Sequence, residues 1–280
     1  MQKSYCYFNG KIVLADKAFL HPDDLGILRG FGVFDVLKTA NGKIFLFDKH
    51  FKRLSDSAAS LGIKLPVSKE EIVEAIKILI KKNKINEASI RIVLTGGRMS
   101  ASDGMHFDFD TPTFYILVSE FKPLAKELFE RGVKLAAVDY NRDMAETKTL
   151  NYIMAVREIN KRQAKEKFFE ILYVSGDGVL EAATSNFFAF VGSKLVAPKE
   201  GILKGITRNL VIDLAKKEFE VEERKLTVDE LESASEAFIA ATNKDILPVV
   251  KIDKLKIGSG KPGKNTKRLM RIFEEFLKNY

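Results

Sequence analysis

Lys148 stands among small polar residues in Glu146-Thr147-Lys148-Thr149-Leu150-Asn151-Tyr152, followed by a helix-like run through Ile153, Val156 and Ile159. An amine acts as a nucleophile while it is neutral, a state that burial or a neighbouring cation favours by lowering its pKa. The plainer reading of Lys148 is a solvated surface charge, the usual state of a lysine. Glu181 ends a short strand after the turn Gly176-Asp177-Gly178 and precedes Ala182-Ala183-Thr184-Ser185-Asn186. Among small residues and apolar strands, such a carboxylate is expected to be partly buried and to need a cationic partner; an ordinary edge carboxylate is the alternative. Gly205-Ile206-Thr207-Arg208 opens a helix. Its free N–H groups and the Thr207 hydroxyl could hold an anion such as phosphate, although any helix following a glycine shares part of this property. Thr242-Asn243 is a second small polar turn, just beyond the strand Phe238 to Ala241, and taken alone it is equally a plain loop.

Composition narrows what these groups can be doing. The 280 residues include 46 basic and 38 acidic side chains, giving a net charge of +8. The two signs are interspersed without a long basic tract, so a nucleic-acid partner is not expected and small anionic ligands are the natural partners of local Arg and Lys clusters. The Lys/Glu-rich surface fits a solvated or heat-adapted exterior. A single cysteine, Cys6, excludes an intramolecular disulfide and a multi-cysteine metal cluster; with only His21, His50 and His106 beside it, no metal site is expected. No run approaches the roughly 18 apolar residues of a membrane span. The N-terminus, Met1 to Tyr7, has no apolar signal region, so a cytoplasmic protein is expected. Chemistry then falls to Lys, Arg, Asp, Glu, Ser, Thr or Tyr, or to a cofactor.

The elements that must position these residues follow from periodicity. Asn9-Gly10 and Asn41-Gly42 are hairpin signals, the first between short strands from Tyr5 to Phe19, the second between Val33–Thr39 and Ile44–Phe47. Helices are expected from near Asp48 to Gly62, carrying Phe51, Leu54, Ala58 and Leu61 on one face, and after Ser68, with Glu71 completing a capping box. Buried strands are read at Ile90–Val93 and Phe114–Val118. A linker is expected over 120–131, around Pro123, separating a small N-terminal domain (1–119) from a larger domain (132–280). The second domain reads as strand (134–138), helix (150–165), strands (171–174 and 187–191), helices opening at Gly205 and near Asp229, a strand (237–241) and a C-terminal helix from about Thr266. Two α+β domains with a site between them is the economical arrangement.

Five ordered motifs, His50-Phe51-Lys52-Arg53-Leu54, Thr147-Lys148-Thr149-Leu150-Asn151, Val179-Leu180-Glu181 with Ser185-Asn186-Phe187-Phe188, Gly205-Ile206-Thr207-Arg208, and Pro248-Val249 following Thr242, give the chain a family likeness. Together they resemble the class IV fold of pyridoxal-phosphate enzymes, which holds branched-chain aminotransferases, D-amino-acid aminotransferases and aminodeoxychorismate lyases. The likeness runs over nearly the whole chain. It implies fold type IV: a small N-terminal α/β domain and a larger domain with a β-barrel-like sheet flanked by helices. By this resemblance Lys148 would hold pyridoxal 5'-phosphate as an internal Schiff base and move the substrate proton. Glu181 would pair with the pyridine nitrogen. Arg53 would clamp the phosphate, with the N–H groups of Ile206 and Thr207 and with Thr242, and Tyr152 would reach the phenolic oxygen. A homodimer is implied as well, its site completed by a loop from the partner.

The departures bear on substrate. Branched-chain enzymes carry a tyrosine where this chain has Arg29, Phe-Glu-Gly where it has Phe34-Asp35-Val36, and Tyr-Ile-Arg where it has Ser89-Ile90-Arg91. Two tyrosines that help hold a substrate carboxylate are thus absent, and Arg29 with Arg91 would form a guanidinium trap for it. Each arginine could instead serve as an ion pair at a domain edge. Phe34, Arg98 in the glycine-rich loop Thr95 to Gly104, and Asn243 complete the expected substrate contacts. The expected reaction is transamination of a D-amino acid, such as D-alanine or D-glutamate, with a 2-oxo acid. A branched-chain L-aminotransferase and an aminodeoxychorismate lyase are the alternatives within the family, and a non-catalytic binding protein on the same fold is the alternative outside it.

Overall fold

The computed structural model describes residues 4–98, 111–163 and 166–280. The chain forms two compact units, Met1–Lys122 with Thr147–Asn151, and Pro123–Glu146 with Tyr152–Tyr280. Within the expected linker 120–131, Lys126–Arg131 is helical. Pro123 restricts only its immediate neighbours, and Leu128 and Phe129 have a core to pack against. The lysine segment 147–151 belongs to the first unit although its flanks belong to the second.

The first unit comprises β1 (Tyr5–Phe8), β2 (Lys11–Leu14), α1 (Leu25–Arg29), β3 (Gly32–Ala40), β4 (Lys43–Ile44), α2 (Phe47–Ser60), α3 (Lys69–Asn83), β5 (Ala88–Thr95) and β6 (Thr113–Glu120). The strands form one sheet in the order β2-β1-β6-β5-β3-β4. Both hairpins turn where the sequence calls for it, with Asn9 and Gly10 at φ 43° and 84° and Asn41 and Gly42 at 53° and 74°. The strand expected to reach Phe47 stops at Ile44. Leu46 takes a left-handed φ of 49° and α2 begins at Phe47, whose ring lies 6.1 Å from that of Phe51 one turn on. Only half of the capping box on α3 forms: Ser68 accepts the Glu71 N–H, but the Glu71 carboxylate accepts a hydrogen bond from the Tyr7 hydroxyl.

Alternation decides the use of the two sheet faces. Val33, Leu37, Ile90, Ile92, Leu94 and Phe114 pack with Leu54 of α2 and Ile72, Ile76 and Leu79 of α3. The other face carries Phe34 opposite Val93 and Tyr115, and Val36 opposite Arg91 and Leu117.

The second unit comprises α4 (Lys126–Arg131), β7 (Val133–Asp139), α5 (Ile153–Gln163), β8 (Glu170–Ser175), β9 (Gly178–Ala182), β10 (Ser185–Val191), β11 (Lys194–Ala197), α6 (Ile206–Ala215), β12 (Val221–Glu223), β13 (Leu226–Thr227), α7 (Val228–Glu232), β14 (Glu236–Ala241), β15 (Asp245–Ile252), β16 (Leu255–Lys256) and α8 (Lys264–Lys278). Its sheet runs β12-β11-β10-β14-β15-β7-β8-β9-β13, and an added β9–β10 pairing closes β10-β14-β15-β7-β8-β9 into a six-stranded barrel. Leu135, Leu172, Phe187, Ile239, Leu247 and Val249 belong to its core. The α+β class and the barrel-like sheet flanked by helices are therefore both present. Among the described residues no helix is long and apolar enough to cross a membrane, and no group of three or more His, Cys, Asp or Glu is arranged to hold a metal ion.

Candidate active site

Lys148 is held against β3 in the manner of an edge strand. The Phe34 N–H donates to the Lys148 carbonyl and the Leu150 N–H to the Gly32 carbonyl, both at 3.0 Å. Gly32 permits this approach: a Cβ there would lie 2.7 Å from the Leu150 side chain and from the Leu94 carbonyl. From α2, the Ser57 hydroxyl accepts the Lys148 N–H at 3.2 Å, and Ser60 Oγ lies 3.0 Å from Thr147 Oγ1. The half-buried side chain carries its amine 4.6 Å from the centre of the Phe34 ring.

Asp35, next to Phe34 but pointing to the core face, organises the adjoining basic side chains. Arg53 donates from Nε and Nη2 to its two oxygens at 2.8 and 2.7 Å, and His50 Nδ1 lies 2.8 Å from Oδ1. His50 and Arg53 are three residues apart on α2 and therefore share a face. Burial opposes ionisation of Asp35, yet the charges and hydrogen bonds of Arg53 and His50 hold its carboxyl well below the usual carboxylate range. Burial pushes the His50 imidazole below its ordinary value against the pull of Asp35, and the Arg53 and Lys148 charges add to the lowering. The sequence reading missed Asp35. The available signal was a carboxylate at a core-facing position, between Val33 and Leu37, just ahead of a helix offering His and Arg at i and i+3.

The two arginines of the expected trap stand in different settings. Arg29 ends the five-residue α1, is exposed, and donates to the carbonyl of its own neighbour Leu28 at 2.9 Å. Gly30 at φ 63° closes the helix there and leaves Arg29 on its solvent side. Arg91 does share the sheet face of Phe34, with Val36 directly opposite. Arg98 is exposed and its backbone bridges to Asp24. Residues 99–104 of the expected capping loop lie outside the described residues.

In the second unit Glu181 is 5% exposed, and both of its carboxylate oxygens accept hydrogen bonds. Arg142 Nε and Nη2 reach Oε1 at 3.0 and 2.7 Å, while Asn186 Nδ2 and the Leu203 N–H reach Oε2 at 3.2 and 3.1 Å. Arg142 was not anticipated; its only signal was an arginine in the loop just after a strand end. Asn186 lies opposite Glu181 in the β9–β10 ladder and also donates to the Leu203 carbonyl at 2.7 Å. Gly205, the N-cap of α6, leaves room for that amide: a Cβ would lie 2.1 Å from Asn186 Oδ1. Ile206 and Thr207 then open the helix, both buried. Arg208 is buried too, pairs with Glu223 at 3.2 Å, and its Nε has no hydrogen-bond partner. Thr242 is half-buried and Asn243 exposed in the β14–β15 turn, and Tyr152 packs beside Tyr173 and Ala155.

The first unit offers an amine at Lys148, and the second a buried carboxylate at Glu181 and a helix start at Gly205; each is a group of the kind that an aldehyde cofactor with a basic ring nitrogen and a phosphate requires. The family model described as "Amino-transferase class IV" matches residues 32–252. A putative branched-chain-amino-acid aminotransferase of Methanocaldococcus jannaschii is 34% identical, over 96% of this chain and 95% of the relative. A D-alanine aminotransferase of Listeria monocytogenes is 30% identical over 95% and 94%, and an aminodeoxychorismate lyase of Bacillus subtilis 31% identical over 98% and 94%. Among solved structures, the branched-chain amino acid aminotransferase of Escherichia coli superposes with a TM-score of 0.87, at 25% identity over 99% of this chain and 95% of that one.

Proposed function

Because the chain belongs to the class IV aminotransferases, a family that uses pyridoxal 5'-phosphate, we propose that it transfers an amino group between a D-amino acid, such as D-alanine or D-glutamate, and a 2-oxo acid. The cofactor supplies an aldehyde that takes up amines and a ring that accepts the electron pair left when the Cα proton departs. Lys148 Nζ binds the cofactor and afterwards carries the Cα proton. Glu181, which accepts from Arg142 and Asn186, holds the proton on the ring nitrogen. Arg53, its fork oriented by Asp35, binds the phosphate together with the N–H groups of Ile206 and Thr207 and the Thr242 hydroxyl. Tyr152 is assigned to the phenolic oxygen.

The observation that carries the substrate reading is the face of β3 and β5 that bears Phe34. Arg91 lies on the same face as the ring beneath the Lys148 amine, so it is the proposed carboxylate anchor, without Arg29. Val36 stands directly opposite Arg91, where the sequence comparison with branched-chain enzymes places glycine. A branched side chain there takes up room that a leucine-sized substrate needs beside an arginine-held carboxylate. Phe34, Asn243 and Arg98 are assigned to the remainder of the substrate. The relative named D-alanine aminotransferase supports this reading. A cytoplasmic homodimer completes it, supported by the exposed Ile153 and Val156 one turn apart on α5.

Assays of pyruvate and glutamate formation test the proposal. D-Alanine with 2-oxoglutarate should turn over, and L-leucine should not. Faster turnover of L-leucine would assign the chain to branched-chain transamination, and release of pyruvate from aminodeoxychorismate without an oxo acid would assign it to the lyases.

A further inference from the structure

Two lysines are buried among the described residues, Lys38 and Lys244, and Lys244 lies next to the Thr242-Asn243 turn. Its Nζ donates to Thr184 Oγ1 at 2.5 Å and to Ser185 Oγ at 2.9 Å, and lies 3.4 Å from Glu170 Oε2. Glu170, 5% exposed, accepts in turn from the Thr184 hydroxyl at 2.6 Å, the Ser185 hydroxyl at 2.9 Å and the Thr184 N–H. Each hydroxyl thus accepts from the ammonium and donates to the carboxylate.

The network joins three separate pieces of chain: the first residue of β8, the turn of the β9–β10 hairpin, and the β14–β15 turn. The hairpin turn lies between Glu181 and Asn186, which bond to each other. A buried ion pair is poor evidence for stability, because apolar residues of similar volume often serve as well or better. What it does provide is one definite geometry, since its donors and acceptors are satisfied in a single arrangement. We infer that Lys244 is a positioning residue that fixes the Thr242-Asn243 turn against the Glu181 hairpin, so that the turn meets the cofactor's phosphate in a set place. The inference rests on the assignment of Thr242 to the phosphate.

The test compares pyridoxal phosphate with pyridoxal, which lacks the phosphate, as ligands of the full chain, by equilibrium dialysis. Lys244→Met is made together with Glu170→Gln so that no carboxylate is stranded. The double variant should bind pyridoxal phosphate about tenfold more weakly, the scale of one hydrogen bond to a charged group, with pyridoxal binding nearly unchanged. Thr184→Val should show the same selective loss and Thr184→Ser should restore it, which keeps the test open if the double variant does not fold. Equal weakening of both ligands, or undiminished binding of pyridoxal phosphate, would overturn the positioning role. Wild-type protein that binds no pyridoxal phosphate would instead overturn the transaminase reading beneath it.

Discussion

At the scale of single residues, Asp35 governs the first unit's share of the site. It is 0% exposed and holds Arg53 and His50 together, so its loss strands the Arg53 guanidinium and takes away the partner of His50 Nδ1. Asp35→Ala should destabilise the first unit by about 3–5 kcal/mol, the usual cost of breaking a buried pair, and weaken pyridoxal phosphate binding through misplacement of Arg53. Urea unfolding and a cofactor titration would check both. His50 adds a pH dependence. Burial lowers its pKa in the folded state, so the unfolded chain binds the proton more readily and stability is lost as pH falls below about 6.5. The depressed pKa of Asp35 keeps its contribution intact until pH falls below about 4. Unfolding midpoints should therefore drop between pH 7 and 5, and His50→Gln should flatten that drop. Lys148 and Glu181 could be singled out in the sequence because they sit inside ordered motifs. Asp35 and Arg142 carried only weak signals, because what distinguishes them is a partner on another element.

At the scale of elements, the site is set by where helices start and where backbone comes close to backbone. Gly205 does both, capping α6 and leaving room for the Asn186 amide. Gly205→Ala should displace Asn186, destabilise the second unit by about 1–3 kcal/mol as overpacking does, and weaken cofactor binding. In an Asn186→Ala background the same change should cost less, which thermal melts of the four proteins would show. The helix starts at Ser68, Gly205 and Thr227 carry local signals, and the hairpins carry Asn-Gly turns; these were legible. The five-residue α1 and the two- to four-residue β11, β12, β13 and β16 are too short to show a period, and pairing decides them. The strand β15 was obscured by Pro248, which it tolerates because its pairing with β7 starts only at Val249.

At the scale of the whole molecule, two cores are built independently, one under α2 and α3 and one in the closed barrel. The sequence conveyed the α+β class of this architecture through its pattern of elements, and the barrel-like sheet through its resemblance to a family. It did not convey that Thr147–Asn151 would join the first unit, since that rests on backbone bonds to Gly32 and Phe34 rather than on local preference. The proposed cofactor contacts include Lys148 and Glu181, so ligand linkage should stabilise the elements that carry them. Saturation to 100 times the dissociation constant is worth about 2.7 kcal/mol, and hydrogen exchange should slow in β3 and β9 alike on addition of pyridoxal phosphate. The central claim is that Lys148 Nζ carries the cofactor, and the most direct measurement is borohydride reduction of the protein with pyridoxal phosphate, followed by mass spectrometry of its peptides. The account predicts a pyridoxyl mark confined to the peptide bearing Lys148 and lost in Lys148→Ala; a mark on another lysine, or none, would contradict it.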